Sequence, residues 1–281
     1  MSTGSKVIVS AALTGAVTPK SFSEHLPITS AEIAEDAYKC WKAGAAVVHL
    51  HMRDDEGMGT MDAARFAETI KLIRARRDCD VIINCTTSGD NTSTDETRMK
   101  HIATLDGIEM CSYDAGSFNW MPSAVFVNSP QFLEKLGEVA TARGVKPEIE
   151  IFDAGMLGIV DYFVKQGKLV RPLHYQICLG ILGGMAATVE NLLYLQSKLP
   201  AGSTWSAFGI GKDNLPILFA TLALGGHVRV GLEDNVYFSH GVKATNVQLV
   251  ERATQAIKVF GKDVASPAEA RKILSIKPLA R

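Results

Sequence analysis

Much is missing from this sequence, and each absence closes off a class of protein. No apolar run in its 281 residues approaches the roughly 20 needed to cross a bilayer. The opening stretch, MSTGSKVIVSAALTG, lacks the apolar h-region and cleavage pattern of a signal peptide. The formal net charge is only −1, so no basic surplus draws nucleic acid or an anionic membrane. Cysteine is sparse and scattered. Cys40, Cys79, Cys85, Cys111 and Cys178 are odd in number, and no CxxC pair offers a thiolate metal site. Several lie in apolar strand-like runs, as buried thiols of a cytoplasmic protein would. The first turn reads LTGAVTPKS, with neither the GxGxxG of a dinucleotide fold nor a P-loop. No low-complexity segment or linker interrupts the chain, which predicts one domain over residues 1–281.

What is present is a regular alternation. Strand-like runs at 6–13, 46–51, 79–87, 107–114, 146–153, 171–180, 203–211 and 227–234 are each followed by a helix-like stretch. Helix punctuation supports the division. Thr29 or Ser30 can cap the first helix, with Glu32 or Glu35 early in it and Gly44 as its stop. Ser129, Pro130 and Gly144 frame the fourth, and SPAEARKIL adds a terminal helix with Pro267 in its first turn. Eight β-then-α units predict an α/β protein, a single (β/α)8 TIM barrel with an extra C-terminal helix. The competing architecture is an open doubly wound sheet, which usually carries the glycine fingerprint absent here.

In such barrels the chemistry collects at the carboxyl ends of the strands. Alternate strand residues share a face. On the second strand Val47, His49 and His51 share one; on the third, Asn84 and Thr86; on the fourth, Met110, Ser112 and Asp114. On the fifth Glu148 and Glu150 share one; on the eighth, Arg229, Gly231 and Glu233, with Asp234 opening the next loop. Ionisable groups in a barrel interior are costly unless paired or bound to metal. His-x-His offers two nitrogens to one ion, and Glu233 is the best third ligand because the eighth strand closes back toward the first two. Zn2+ takes this donor set, although the ligands alone do not exclude other divalent transition metals. The bland reading makes His49 and His51 hydrogen-bonded core histidines. For His25, His101, His174, His227 and His240 the bland reading is the better one. The Arg229–Asp234 pair could equally be a salt bridge closing the barrel. After the seventh strand, Gly209, Gly211 and Lys212 of GIGKDN lie where barrels often seat a phosphate; such a glycine-bearing loop is more often a plain turn.

The motifs HLHMRDDEG, PEIEIFDAGM, the turn at 183–185, WSAFGIG and GGHVRVGLEDN together resemble the beta-keto acid cleavage enzyme family over nearly the whole chain. The resemblance implies a zinc-dependent (β/α)8 barrel, usually a homo-oligomer and most often a tetramer. It implies conversion of a β-keto acid and acetyl-CoA into acetoacetate and a new acyl-CoA. His49, His51 and Glu233 stand where the family holds its metal, and Arg229 and Asp234 where it keeps a catalytic pair. Glu150 matches a glutamate beside the reacting centre. Thr86 replaces a serine and Ser112 a threonine, so both positions keep their hydroxyls. Members that cleave 3-keto-5-aminohexanoate carry a glutamate just after TGA, where this chain has Val17. Valine offers an ammonium no charge, so the expected substrate is a 3-oxo acid with an uncharged tail against an apolar pocket wall at Val17; the bland reading packs Val17 under the barrel rim. Phe118 and Trp120 would hold a quaternary ammonium only if they faced the pocket. Two other classes compete: a zinc-dependent aldolase or hydrolase of the same barrel type that needs no CoA, and a non-catalytic metal-binding barrel.

Overall fold

The computed structural model describes residues 6–90, 92–122 and 124–277. Eight parallel strands close into a barrel in chain order, the expected (β/α)8 fold. They are β1 (Val9–Ala12), β2 (Val47–Leu50), β3 (Ile82–Cys85), β4 (Met110–Asp114), β5 (Lys146–Ile151), β6 (His174–Leu179), β7 (Thr204–Gly209) and β8 (His227–Val230). The helices that follow them are α1 (Ser30–Lys42), α2 (Ala63–Arg74), α3 (Asp95–Thr104), α4 (Pro130–Arg143), α5 (Gly155–Lys165), α6 (Val189–Lys198), α7 (Asn214–Ala223) and α8 (Asn246–Val259). A ninth, α9 (Pro267–Leu274), ends the described chain. None of these helices is long and apolar enough to cross a membrane.

Local chemistry sets the boundaries. Thr29 caps α1 in a capping box with Glu32, and Ser129 caps α4 with Pro130 in its first turn. Gly144 ends α4 at φ +66°, a conformation that costs a side-chain-bearing residue. Period-2 patterning then decides facing. In β5, Ile149 and Ile151 join the apolar layer between strands and helices, while Glu148 and Glu150 alternate with them and point inward. The strand expected over 6–13 is two pieces. Lys6–Val7 pairs with Asp263–Val264 beneath the barrel, and only Val9–Ala12 belongs to the barrel wall.

At the amino end of the strands, Ile8, Val47, Ile82 and Met110 form a small apolar cluster that α9 covers with Ala270 and Leu274. Glu109, just before β4, is buried there between Arg74 and Arg271. At the carboxyl end, three two-stranded antiparallel pairs rise from the loops: Met52–Arg53 with Gly59–Thr60, Phe118–Trp120 with Ala124–Phe126, and Tyr237–Ser239 with Val242–Lys243.

Candidate active site at the carboxyl end of the barrel

Register places the polar residues. His49 is the partner of Ala12 and Asn84; Ser112 and His174 are partners of Glu148; Glu150 lies between Asp114 and Gln176. In a parallel ladder such partners share a face, so these side chains all enter the barrel. After β8 the backbone passes so close to β1 that a Cβ on Gly231 would lie 2.0 Å from the Ala12 carbonyl oxygen, and its φ is +143°. Only glycine fits that approach. It turns Glu233 and Asp234 over the mouth, where the amide of Glu233 donates to the Ala12 carbonyl.

Glu233 meets both imidazoles there. Its Oε1 lies 3.7 Å from Nε2 of His49 and 3.5 Å from Nε2 of His51. The three donor atoms fall within 4.8 Å of one another, and Oε2 of Glu233 is buried without a hydrogen-bond partner among the described residues. Two imidazole nitrogens and a carboxylate oxygen at that spacing suit a tetrahedral ion such as Zn2+, with a fourth position open. Burial opposes the charge on Glu233, but His51, Arg229 and His49 together hold its carboxyl well below the usual range. Burial pushes the His49 imidazole down to about 3, despite the pull of Glu233 the other way.

Arg229 is the hub of the remaining charges. It grips Asp234 with two bonds, Nε to Oδ2 at 2.9 Å and Nη2 to Oδ1 at 3.0 Å. Nη2 also reaches Oε1 of Glu233 at 2.6 Å, and Nη1 lies 3.7 Å from Glu150. The guanidinium rests over the Phe208 ring, 4.5 Å from its centroid. Burial raises Asp234 to about 6 against the attraction of Arg229, and raises Asp114 to about 6 as well. Burial and Asp114 push Glu150 well above the ordinary carboxylate range. The thiol of Cys178 donates to Oε2 of Glu150 across 3.7 Å.

The two hydroxyls differ in circumstance. Thr86 Oγ1 pairs with Ser88 Oγ at 2.8 Å, and His101 bonds the Thr86 carbonyl from behind. Ser112 Oγ accepts the Thr87 amide at 2.8 Å and so pins the end of β3. At the proposed phosphate loop, the Gly211 amide donates to the Asp234 carbonyl. Gly209 is small for packing, since a Cβ there would lie 2.6 Å from the Asp213 carbonyl oxygen. Lys212 is exposed. Val17 corrects an expectation: it is 74% exposed, neither a buried pocket wall nor packed under the rim. The loop that carries it is anchored instead by Arg53, whose guanidinium bonds the carbonyls of Thr14, Gly15 and Thr18. Phe118 and Trp120 join an aromatic cluster with Phe126 and Phe152.

Pattern reading misses the floor of the site. His174 is no isolated strand histidine. Its Nε2 lies 3.2 Å from Ser206 Oγ and 3.8 Å from Glu148, and Ser206 donates to Gln176 at 2.6 Å. The signal was available, because His174, Gln176 and Cys178 alternate on one strand as His49 and His51 do.

A closed barrel whose carboxyl end gathers imidazoles, carboxylates and the Arg229 guanidinium defines a (β/α)8 enzyme site. The fold agrees with solved structures: the apo form of ObcA matches with a TM-score of 0.81 at 20% identity, covering 90% of this chain and 66% of that one. The beta-keto acid cleavage enzyme family matches residues 6–276. The 3-keto-5-aminohexanoate cleavage enzyme of Fusobacterium nucleatum is 40% identical over 273 residues, 97% of this chain and 98% of the relative. The 3-dehydrocarnitine:acetyl-CoA trimethylamine transferase of Rhizobium meliloti is 35% identical over 297 residues, covering 98% of each. The chain belongs to the beta-keto acid cleavage enzyme family and is an enzyme of C–C bond cleavage.

Proposed function

We propose that the enzyme condenses a 3-oxo acid with acetyl-CoA and releases acetoacetate and a new acyl-CoA. The observation that carries this reading is the two-bond Arg229–Asp234 pair beside Glu233, His49 and His51. A Zn2+ ion held by His49, His51 and Glu233 would supply Lewis acidity at the keto acid. Asp234 is the base for the proton between the two carbonyls, and Arg229 orients its carboxylate. Glu150 faces the same guanidinium and supports that network. The enolate carbon attacks the acetyl thioester, and the Thr86 hydroxyl donates to the developing oxyanion; one such donor is worth about 3 kcal/mol. Ser112 holds the strand end that presents Thr86. CoA thiolate departs, adds to the original keto carbon and forms the new thioester. The bond between that carbon and C2 breaks, and Asp234 returns the proton to acetoacetate. The CoA phosphates sit at the rim loop of Gly209, Gly211 and Lys212, where the exposed Lys212 supplies the charge because the Gly211 amide is taken by the Asp234 carbonyl.

The tail of the keto acid is uncharged in this reading. The first loop, which reaches Glu233 through Gly15, has no carboxylate from Thr14 to Ser23. An ammonium beside it would find no opposite charge on that loop. The test is a panel of 3-oxo acids with acetyl-CoA, followed by release of acetoacetate. Short uncharged acids should turn over, and omitting acetyl-CoA should silence the reaction. Turnover without acetyl-CoA would sink the proposal in favour of an aldolase or hydrolase.

A further inference from the structure

Among the buried polar residues that the reaction above leaves without work, Asn84 and Glu148 are in direct contact. Asn84 and Glu148 both point into the barrel, from β3 and β5. Nδ2 of Asn84 donates to Oε2 of Glu148 at 2.7 Å. The other end of that amide, Oδ1, is buried with no hydrogen-bond partner among the described residues. So is Nδ1 of His49, the ring nitrogen opposite the one that faces Glu233. His49 and Asn84 are register partners on adjacent strands with side chains on one face. Two orphans of opposite capacity thus stand side by side.

We propose that Asn84, aligned by Glu148, is the positioning residue for His49. Its Oδ1 accepts the Nδ1 proton of His49 and thereby leaves Nε2 as the lone-pair nitrogen turned toward Glu233. The proposal rests on His49 being a metal ligand. An imidazole that ligates through one nitrogen almost always donates its other N–H, which fixes both tautomer and ring plane. An amide suits this place because it presents an acceptor to His49 and a donor to Glu148. The carboxylate decides which way round the amide sits, since only the NH2 end can face it. Glu148 is itself met from the floor: Nε2 of His174 lies 3.8 Å from Oε1, with Ser206 Oγ beside it. The chain of contacts therefore runs from the centre of the barrel to the ring of His49.

A competing use of the same atoms exists. His49, Glu148 and Glu150 also offer three donor atoms within 4.8 Å, which would suit a second, deeper cation. A deeper cation held through Nδ1 of His49 would exclude the bond to Asn84, because that nitrogen cannot both donate and ligate.

The test begins with metal-free wild-type protein, so that it does not depend on turnover. Two-bond 1H–15N correlation spectra, with His49 assigned by loss of its signal in His49→Gln, should show the Nδ1–H tautomer. An Nε2–H tautomer overturns the proposal whether or not metal binds. A wild type that shows the Nδ1–H form but takes up no zinc overturns the metal-ligand reading instead, and the positioning of a metal with it. The second measurement is zinc affinity by chelator competition. Asn84→Leu should bind about 10- to 100-fold more weakly with an unchanged far-ultraviolet circular dichroism spectrum. Wild-type affinity in a folded Asn84→Leu protein overturns the assignment. The third is stoichiometry, where one zinc per chain is expected. A second equivalent that disappears in Glu148→Gln would hand these atoms to a deeper cation site.

Discussion

The two ends of the barrel handle buried charge in opposite ways. At the amino end, Glu109 is buried and both its oxygens are met. Arg74 bonds Oε1 at 2.9 Å, and Arg271 from α9 bonds Oε2 at 2.6 Å and Oε1 at 2.9 Å. At the amino end Nε of Arg74 is left unmet, whereas at the carboxyl end several buried polar atoms are left over among the described residues: Nδ1 of His49, Oδ1 of Asn84, Oδ2 of Asp114, Oε1 of Glu148, Nη1 of Arg229 and Oε2 of Glu233. Each unmet buried group costs about 1–3 kcal/mol. A fold bears that cost where something it binds completes the set, and functional sites are where such local conflicts collect. The amino end is built for stability and the carboxyl end for ligands.

That contrast can be broken by mutation, and the largest expected effect is at the carboxyl end. His49→Ala and His51→Ala should each lose bound zinc and bring turnover below detection, with thermal unfolding nearly unchanged. Elemental analysis beside a melting curve checks this; full activity in a metal-free double mutant would end the metal reading. Asp234→Asn comes next. It keeps the ligands but removes the base, so kcat should fall about 10²- to 10⁴-fold with zinc retained. A near wild-type kcat rules out that role.

At the amino end the effects should fall on stability instead. Arg271→Ala leaves Glu109 buried with half its partners, at a cost of about 3 kcal/mol. Urea unfolding should show that loss while kcat per folded molecule stays put. A large drop in kcat would mean that the two ends are not separate as argued.

Acid sensitivity sharpens the comparison from a third position. His101 lies fully buried against the Phe66 ring, and burial pushes it down to about 4 in the fold. Unfolded, it titrates near 6.5. Between these values the unfolded chain binds a proton that the folded chain refuses. Stability from this group is complete above about pH 6.5, falls as pH drops toward 4, and levels below that. The loss is up to roughly 3 kcal/mol. Urea unfolding of wild type and His101→Gln across this range should show a shallower fall in the variant; equal slopes would assign the acid loss to other groups.

The smallest expected effect is at the exposed rim. Val17→Glu adds a charge that is open to water, so the preference for a 5-amino substrate over an uncharged one should rise by roughly fivefold at most. The ratio of kcat/KM for the two substrates reports it. A wild type that already prefers the amino substrate would show that the choice is made elsewhere in the pocket.

Much of this was legible in the linear sequence because it depends on short periods. Alternation in PEIEI tells which side of the strand Glu148 and Glu150 take, and Thr29, Pro130 and Gly144 mark helix ends whatever surrounds them. His49 and His51 announce themselves by the same period of two, and the eight units announce the barrel. Partners brought from far along the chain are another matter. Nothing near Asn84 states that its amide meets Glu148 at a separation of 64 residues, or that His174 lies beneath both. The sequence around Val17 does not say that Arg53 ties its loop from 35 residues away while leaving Val17 itself in water. Closure of the barrel decided those contacts, because facing follows from local geometry, whereas neighbours inside a closed sheet follow from strand register and the joining of β8 to β1.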